Sequence, residues 1–553
     1  MPVARTHSIA LVGVQGHPVE IETDIENGLP GLLLVGLPDT ALREARDRIR
    51  AAVINSGEQW PQRRITVGLS PASLPKRGSG FDVGIAISIM AAAGTVPAAA
   101  IDGINFLGEL GLDGRLRPVL GVLPAVAGAA AAGFGQVAVP QVCADEASLV
   151  PGLRVVGAPS LKALLAWLRG DRESGRAVTA WDSGDGFGPF ACGGPAVGAG
   201  PSGAAGSSAG VGLSACRRTS TGAHPSAGTG RAGGRPDLAD VLGQPVARRA
   251  AEISAAGGHH LCLLGPPGAG KTMLAERLPT IMPALDRAAA LEVTAIHSIA
   301  GTLPSGRPLL TEPPFCAPHH TATKAAIVGG GSGIIRPGAA SLAHRGCLFL
   351  DEAPEFDRDV LDALRQPLES GEVVVARSGL TARFPARFTL VLAANPCPCA
   401  KGPSAGAGCT CTPTQRRRYL ARLSGPLLDR VDVKVEFLPV SRAELLDDRG
   451  FTEPSSVVAA RVEEARQRAA TRLKHTPWRL NAEIPGSELR RAFAPSPGAL
   501  SPVERAMDLG EISARGVDRV IRVAWTLADL AGVARPTIDE TSYALGLWLG
   551  VSR

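Results

Sequence analysis

A short apolar run, Leu261-Cys262-Leu263-Leu264, leads directly into Gly265-Pro266-Pro267-Gly268-Ala269-Gly270-Lys271-Thr272, and a helical pattern starts at Met273. An apolar run of this length suits a buried parallel strand. The glycines let backbone N–H groups converge on phosphate oxygens, and the following helix start adds a favourable dipole. Lys271 is placed to reach the β- and γ-phosphates, and Thr272 to ligate magnesium. The segment therefore predicts an α/β core of P-loop type, with ATP and Mg2+ as its ligands.

Hydrolysis needs carboxylates at the same end of the sheet. Cys347-Leu348-Phe349-Leu350 reads as a second buried strand and ends in Asp351-Glu352. Asp351 fits the magnesium side, and Glu352 fits the base that orients the attacking water. A third strand, Phe388 to Ala394, ends at Asn395. Its amide can hold the same water against the γ-phosphate, or it can simply form a turn before Pro396.

At 553 residues the chain is too long for one ordinary domain. Residues 1–175 alternate β-rich and Ala-rich runs, which predicts a compact α/β domain. Strands are expected at Ser8–Val14, Gly31–Val35, Ile65–Leu69 and Phe106–Leu110, and helices at Thr40–Ser56, capped by Asp39, and Val122–Ala132. Residues 180–235 collapse into Gly, Ala, Ser and Pro, so a flexible linker is expected there. Residues 237–440 carry the P-loop core. Residues 441–553 turn helical, at Ala443–Leu446, Ser456–Arg472, Pro502–Leu509, Ala514–Ala531 and Asp539–Leu547, which predicts a helical lid. The fold class is thus α/β and multidomain.

The formal charge of +6 permits an anionic partner without demanding one. No long apolar run follows a basic start, so a cytoplasmic chain with no membrane span is expected. Four of the ten cysteines cluster as Cys397, Cys399, Cys409 and Cys411. Four thiolates can close a tetrahedral zinc site, although Cys-x-Cys is tighter than the commoner zinc spacing, and reduced free thiols are the other reading. Arg416-Arg-Arg-Tyr419 and Arg422 follow, either as phosphate contacts or as a solvated helix face. Adjacent residues should point apart, so the pairs His319-His320 and His259-His260 read as structural.

These motifs occur together with Ala317-Pro-His-His-Thr-Ala322, Val328-Gly-Gly-Gly331, Ser341-Leu-Ala-His344, Leu348-Phe-Leu-Asp-Glu352 and Ser424-Gly-Pro-Leu-Leu-Asp-Arg430. In that order they resemble the magnesium-chelatase-related AAA+ ATPases. More narrowly they resemble the YifB/ComM branch, whose transformation-associated member is a DNA branch-migration helicase. The resemblance covers everything except the linker. It implies that Asn395 is sensor 1 and that Arg430 is the arginine finger reaching a neighbouring subunit's ATP. It further implies that Arg515 is sensor 2 on the lid and that Val241-Leu-Gly-Gln244 lies on the adenine side. Two positions depart from the pattern: Pro337-Gly-Ala-Ala340 lacks an acidic residue, and Trp525 stands where relatives carry Arg.

Residues 8–170 resemble the Lon-protease-type domain of the same branch, through Pro75-Lys-Arg-Gly78, Gly108-Glu-Leu110 and Gly114-Arg-Leu-Arg-Pro118. A Ser–Lys pair is needed for peptide hydrolysis. The nucleophile register falls on Gly80, with Ser79 one place away, and Val119–Ala132 contains no lysine. No protease activity or protease substrate is therefore expected. The implied function is a homo-oligomeric ring, expected as a hexamer, that hydrolyses ATP and acts on DNA as a helicase. The Gly329–Gly333 segment suits a pore-facing insertion in such a ring. A chelatase-type motor subunit driving metal insertion into a tetrapyrrole is the alternative, and the fused N-terminal domain weighs against it.

Overall fold

The computed structural model describes residues 3–36, 39–74, 76, 78–171, 176–178, 216–217, 236–304, 306–331, 335–377, 380–399, 409–423, 425–440 and 452–550. The expected linker at 180–235 and the helix at Ala443–Leu446 lie outside the described residues, apart from a two-residue strand, Cys216–Arg217. Two compact units result, one of residues 1–214 with 297–309, the other of 215–296 with 310–553.

In the first unit, strand Gln15–Glu26 pairs antiparallel with Ala4–Val12 on one side and with Arg64–Ser70 on the other, within an eight-stranded sheet. Parallel strands Ile104–Phe106, Gln136–Pro140 and Arg154–Ala158 extend one side. The helix Asp82–Ala92 is buried over Asp82 to Met90, because its residues are apolar all round. Its first residue is the exception. Burial lifts the Asp82 carboxyl to about 6, while Arg48, 2.8 and 3.1 Å from its two oxygens, opposes that rise. The expected strand Phe106–Leu110 is instead two short strands, Ile104–Phe106 and Glu109–Leu110, separated at Gly108, whose φ of 155° breaks the run.

The second unit is built on five parallel strands, numbered here alone: β1 Leu261–Leu264, β2 Phe315–Cys316, β3 Cys347–Leu350, β4 Thr389–Ala394 and β5 Val433–Glu436. Their order is β2-β3-β4-β1-β5, with Cys216–Arg217 antiparallel outside β2. Strands buried on both faces read as unbroken apolar runs, as β1, β3 and β4 do. The C-terminal helices Ser455–Leu473, Ala514–Ala531 and Ile538–Leu549 share one apolar core with this sheet, in which Val462, Val523 and Trp548 join Leu263, Phe349 and Val433. None of the described helices is long and apolar enough to cross a membrane.

A buried polar chain ties the helix Ala514–Ala531 to the sheet. Asp432, just before β5, is buried; it accepts from Arg519 Nη1 at 2.8 Å and from the backbone N–H of His260 at 3.2 Å. His259 Nδ1 stands 3.5 Å from the same carboxylate, and its Nε2 meets Thr526 Oγ1 at 2.7 Å. Asn481 donates to Thr526 and Asp529, and Arg472 binds Asp529 while lying 4.2 Å over the Trp525 ring. Burial alone would raise the Asp432 carboxyl, but Arg519 and His259 outweigh it and hold it well below the usual carboxylate range. Its stabilisation is therefore present above the unfolded value of about 3.9 and is lost as pH falls below that value. Asp432→Asn leaves Arg519 facing a neutral partner and should cost roughly 3 kcal/mol in urea unfolding at pH 7. The difference from the native chain should shrink on acidification, and a difference independent of pH would contradict this account.

Candidate ATP site and its arginine-lined counterpart

The C-terminal ends of β1, β3 and β4 bring the expected ATP-site residues to one edge of the sheet. After β1, Gly268 and Gly270 take φ of 78° and 96°, conformations open to glycine. Gly265 is needed for another reason: a Cβ there would lie 2.6 Å from the Phe437 side chain and 2.8 Å from its carbonyl oxygen. The helix Lys271–Ile281 then begins. Lys271 is buried, and its Nζ donates to the carbonyls of Gly265 at 2.7 Å and Pro266 at 2.8 Å, and to Asn395 Oδ1 at 3.2 Å. Burial lowers its pKa, against the opposing pull of Asp351 and Glu352.

Thr272 donates from Oγ1 to Asp351 Oδ2 at 2.7 Å. The two residues expected to share magnesium are thus already adjacent, and both offer hard oxygen donors of the kind Mg2+ takes. The Glu352 N–H donates to Asp351 Oδ1 at 2.9 Å, and Glu352 itself has φ of 50°. A left-handed backbone at a non-glycine residue costs about 1–3 kcal/mol and clusters at functional sites. Gln244 donates to the Leu438 carbonyl at 2.7 Å, two residues past the end of β5, which puts the expected adenine-side segment at this same edge.

One reading of the sequence is corrected here. His319 and His320 do not point apart: their rings lie 4.1 Å from centre to centre, and His320 Nδ1 is 3.2 Å from Glu352 Oε2. The end of β2 lies beside the end of β3 because the strands are parallel neighbours, and only that pairing reveals the contact. His259 and His260, by contrast, serve the buried network already described.

Arg430 and Arg515 do not join their own P-loop. Arg430 precedes β5, so it stands at the N-terminal edge, a strand length of ~13 Å from the edge that carries Lys271. It donates to the Pro426 carbonyl and pairs with Glu369. Arg430 and Arg515 line one cavity of about 890 Å³, together with Arg519, Arg522, Arg466, Arg345, Arg387 and Arg479. No P-loop residue lines it. Burial, then Arg519, Arg365 and Arg515, lower the Arg430 pKa, so the cation is held among like charges and would gain from an incoming anion.

The four clustered cysteines place their sulfurs within 4.8 Å of one another. The separations Cys397–Cys399, Cys399–Cys409 and Cys397–Cys409 are 3.1, 3.4 and 3.6 Å. These are too long for a disulfide, of ~2.05 Å, and near the ~3.8 Å edge of a tetrahedron with ~2.3 Å metal–sulfur bonds. The cluster can therefore hold a metal ion. Arg416 donates to Cys409 Sγ at 3.4 Å, and Arg422 pairs with Glu355 at 3.1 Å, while Arg417 and Arg418 are exposed. In the first unit, Ser79 donates to Glu109, and buried Lys76 donates to the Pro71 and Leu74 carbonyls.

Comparison with known proteins places the chain in a family. Family models described as "Magnesium chelatase, subunit ChlI" and its C-terminal part match residues 237–445 and 452–547, and "Subunit ChlI of Mg-chelatase" matches 21–142. The competence protein ComM of Haemophilus influenzae is 37% identical over 99% of this chain and 97% of its own length. YifB of Escherichia coli K12 is 38% identical over 96% and 94%. The chain belongs to the YifB/ComM-type magnesium-chelatase-related family. An uncharacterized Mycobacterium tuberculosis member, Rv2897c, is 48% identical over 99% of this chain and 98% of its own. The magnesium-chelatase 38 kDa subunit of Rhodobacter capsulatus, 42% identical, matches only 66 residues, 12% of this chain. Membership of this AAA+ family implies ATPase activity, with ATP and Mg2+ as ligands.

Proposed function

We propose that this chain is a ring-forming ATPase, expected as a hexamer, whose ATP sites are completed between neighbouring copies and whose turnover drives remodelling of DNA. The observation that carries this reading is the division of the machinery between opposite edges of one sheet. Lys271, Thr272, Asp351, Glu352 and Asn395 share one edge, while Arg430 and Arg515 share the arginine-lined cavity at the other. An arginine that cannot reach its own ATP can serve only another copy's.

In that site the P-loop N–H groups and Lys271 cradle the phosphates. Thr272 and Asp351 would hold magnesium, which would supply charge neutralisation for the phosphates. Glu352 takes the proton of the attacking water, and Asn395 aligns that water. Arg430 from the adjacent copy stabilises charge on the transferring group, and Arg515 assists as sensor 2. The first unit is read as a Lon-protease-type domain without protease function, since Ser79 faces a carboxylate rather than a lysine.

DNA as the substrate is supported by similarity to ComM, named as a competence protein, and by exposed Arg417 and Arg418. The chelatase alternative has less support, because the chelatase subunit matches a short stretch while ComM and YifB match nearly throughout. The cysteine cluster is read as a zinc site.

Lys271→Ala should abolish ATP turnover through lost binding. Glu352→Gln should keep ATP binding and lower kcat by about 10²–10⁴-fold. Arg430→Ala should keep binding and lower kcat by about 10³-fold or more. Forked DNA should raise native turnover and be unwound. Turnover indifferent to single-stranded and forked DNA, with no strand displacement, would contradict the DNA reading. Elemental analysis should find one zinc per chain, lost in Cys409→Ser; purified protein without stoichiometric metal would contradict the zinc reading.

A further inference from the structure

We infer that the arginine-lined cavity holds a second anion site, built on Arg466 and Arg522, that binds the phosphate group of a small molecule rather than a neighbouring copy's ATP. The inference goes beyond the shared-site reading and does not depend on it. Arg466 lies on the helix Ser455–Leu473 and Arg522 on the helix Ala514–Ala531, and both line the cavity of about 890 Å³. That volume falls in the ~300–1,000 Å³ range of small-molecule sites.

What sets these two arginines apart is the want of a carboxylate. Arg466 donates from Nε and Nη2 to the Ala255 carbonyl at 3.0 and 2.6 Å, and Arg522 donates from Nε to the Ile484 carbonyl at 2.7 Å. A carbonyl satisfies the N–H and leaves the charge unanswered. Among the described residues no carboxylate lies within salt-bridge distance of either guanidinium. The acidic residues that line the cavity are engaged elsewhere: Asp286 with Arg479, Glu369 with Arg430, Asp432 with Arg519, and Asp518 with Arg490. Glu483 turns Oε2 to the N–H groups of Arg479 and Leu480, at 2.7 and 3.3 Å, and Asp429 pairs with neither arginine.

Both guanidiniums are half-buried. Burial lowers Arg466 to about 10, against the pull of Glu463, Cys347 and Glu483. Burial, and then Arg519, lower Arg522, with Asp432 and Asp518 opposing. A desolvated cation without a counterion is costly, and the planar guanidinium fork matches phosphate oxygens. The two groups border one turn, since Arg466 feels the Glu483 carboxylate and Arg522 holds the carbonyl of the next residue. Trp478, Leu480 and Phe388 add apolar wall, with room for more than a bare ion. Arg515 stands seven residues before Arg522 on the same helix, ~10 Å along its axis, so the two serve different anions.

The test measures binding of radiolabelled orthophosphate by equilibrium dialysis to full-length Lys271→Ala protein, whose P-loop is disabled, at an ionic strength fixed with chloride. One phosphate per chain should bind. Adding Arg466→Gln or Arg522→Gln should weaken that binding by about tenfold or more, the scale of one lost charge-assisted hydrogen bond, with circular dichroism unchanged. Either substitution decides the matter if the other does not fold. Adding Arg430→Ala instead should leave binding intact. Displacement of the label by glucose 6-phosphate would support the site with a phosphate ester as its ligand, and displacement by orthophosphate alone would support it with the free ion. No saturable binding, or binding that survives both glutamine substitutions, would overturn the site. Binding lost in Arg430→Ala would overturn its separation from the shared ATP site while leaving that site's own reading in place.

Discussion

Five strands running in one direction decide where each charge of this ATPase can stand. Residues that follow β1, β3 and β4 gather at one edge, and residues that precede β5 gather at the other. Lys271, Asp351, Glu352 and Asn395 are of the first kind, and Arg430 and Asp432 of the second. No side-chain torsion can move an arginine across the ~13 Å between them. The separation follows from backbone topology, and the proposed site assembled from two copies rests on that separation.

The arginine edge would be costly if nothing balanced it. Asp432 supplies the balance, with Arg519 on one oxygen and the His260 backbone on the other. The same helix that carries Arg519 also carries Arg515 and, through Thr526 and Asp529, meets His259, Asn481 and Arg472. One buried carboxylate thus sets the position of the helical segment against the sheet. The C-terminal helices share the sheet's core, so movement at Arg515 has a short route to β5.

Much of this was legible in the sequence, for definite reasons. The P-loop, Asp351-Glu352 and Asn395 each follow an apolar run, and helix Ala514–Ala531 has the expected bounds because Ser513 caps it and Gly532 ends it in the left-handed region. The long strand Gln15–Glu26 was missed, although Val19, Ile21, Thr23 and Ile25 are buried at alternate positions, because its polar residues masked the period. His320 was misread for a deeper reason: its partner lies 32 residues away, and only the pairing of β2 with β3 brings the two together. Trp525, which departs from the family pattern, lies buried beneath Arg472 and donates to the Phe493 carbonyl at 2.8 Å, a packing role invisible without the neighbouring helices.

The shared site is tested most directly by mixing subunits. Lys271→Ala and Arg430→Ala proteins, each inactive alone, are combined under conditions that allow exchange, and ATP turnover is measured. Every junction that sets an intact P-loop against an intact Arg430 should be active, so the mixture should regain turnover that neither parent shows. A mixture that exchanges subunits and stays inactive would contradict the account.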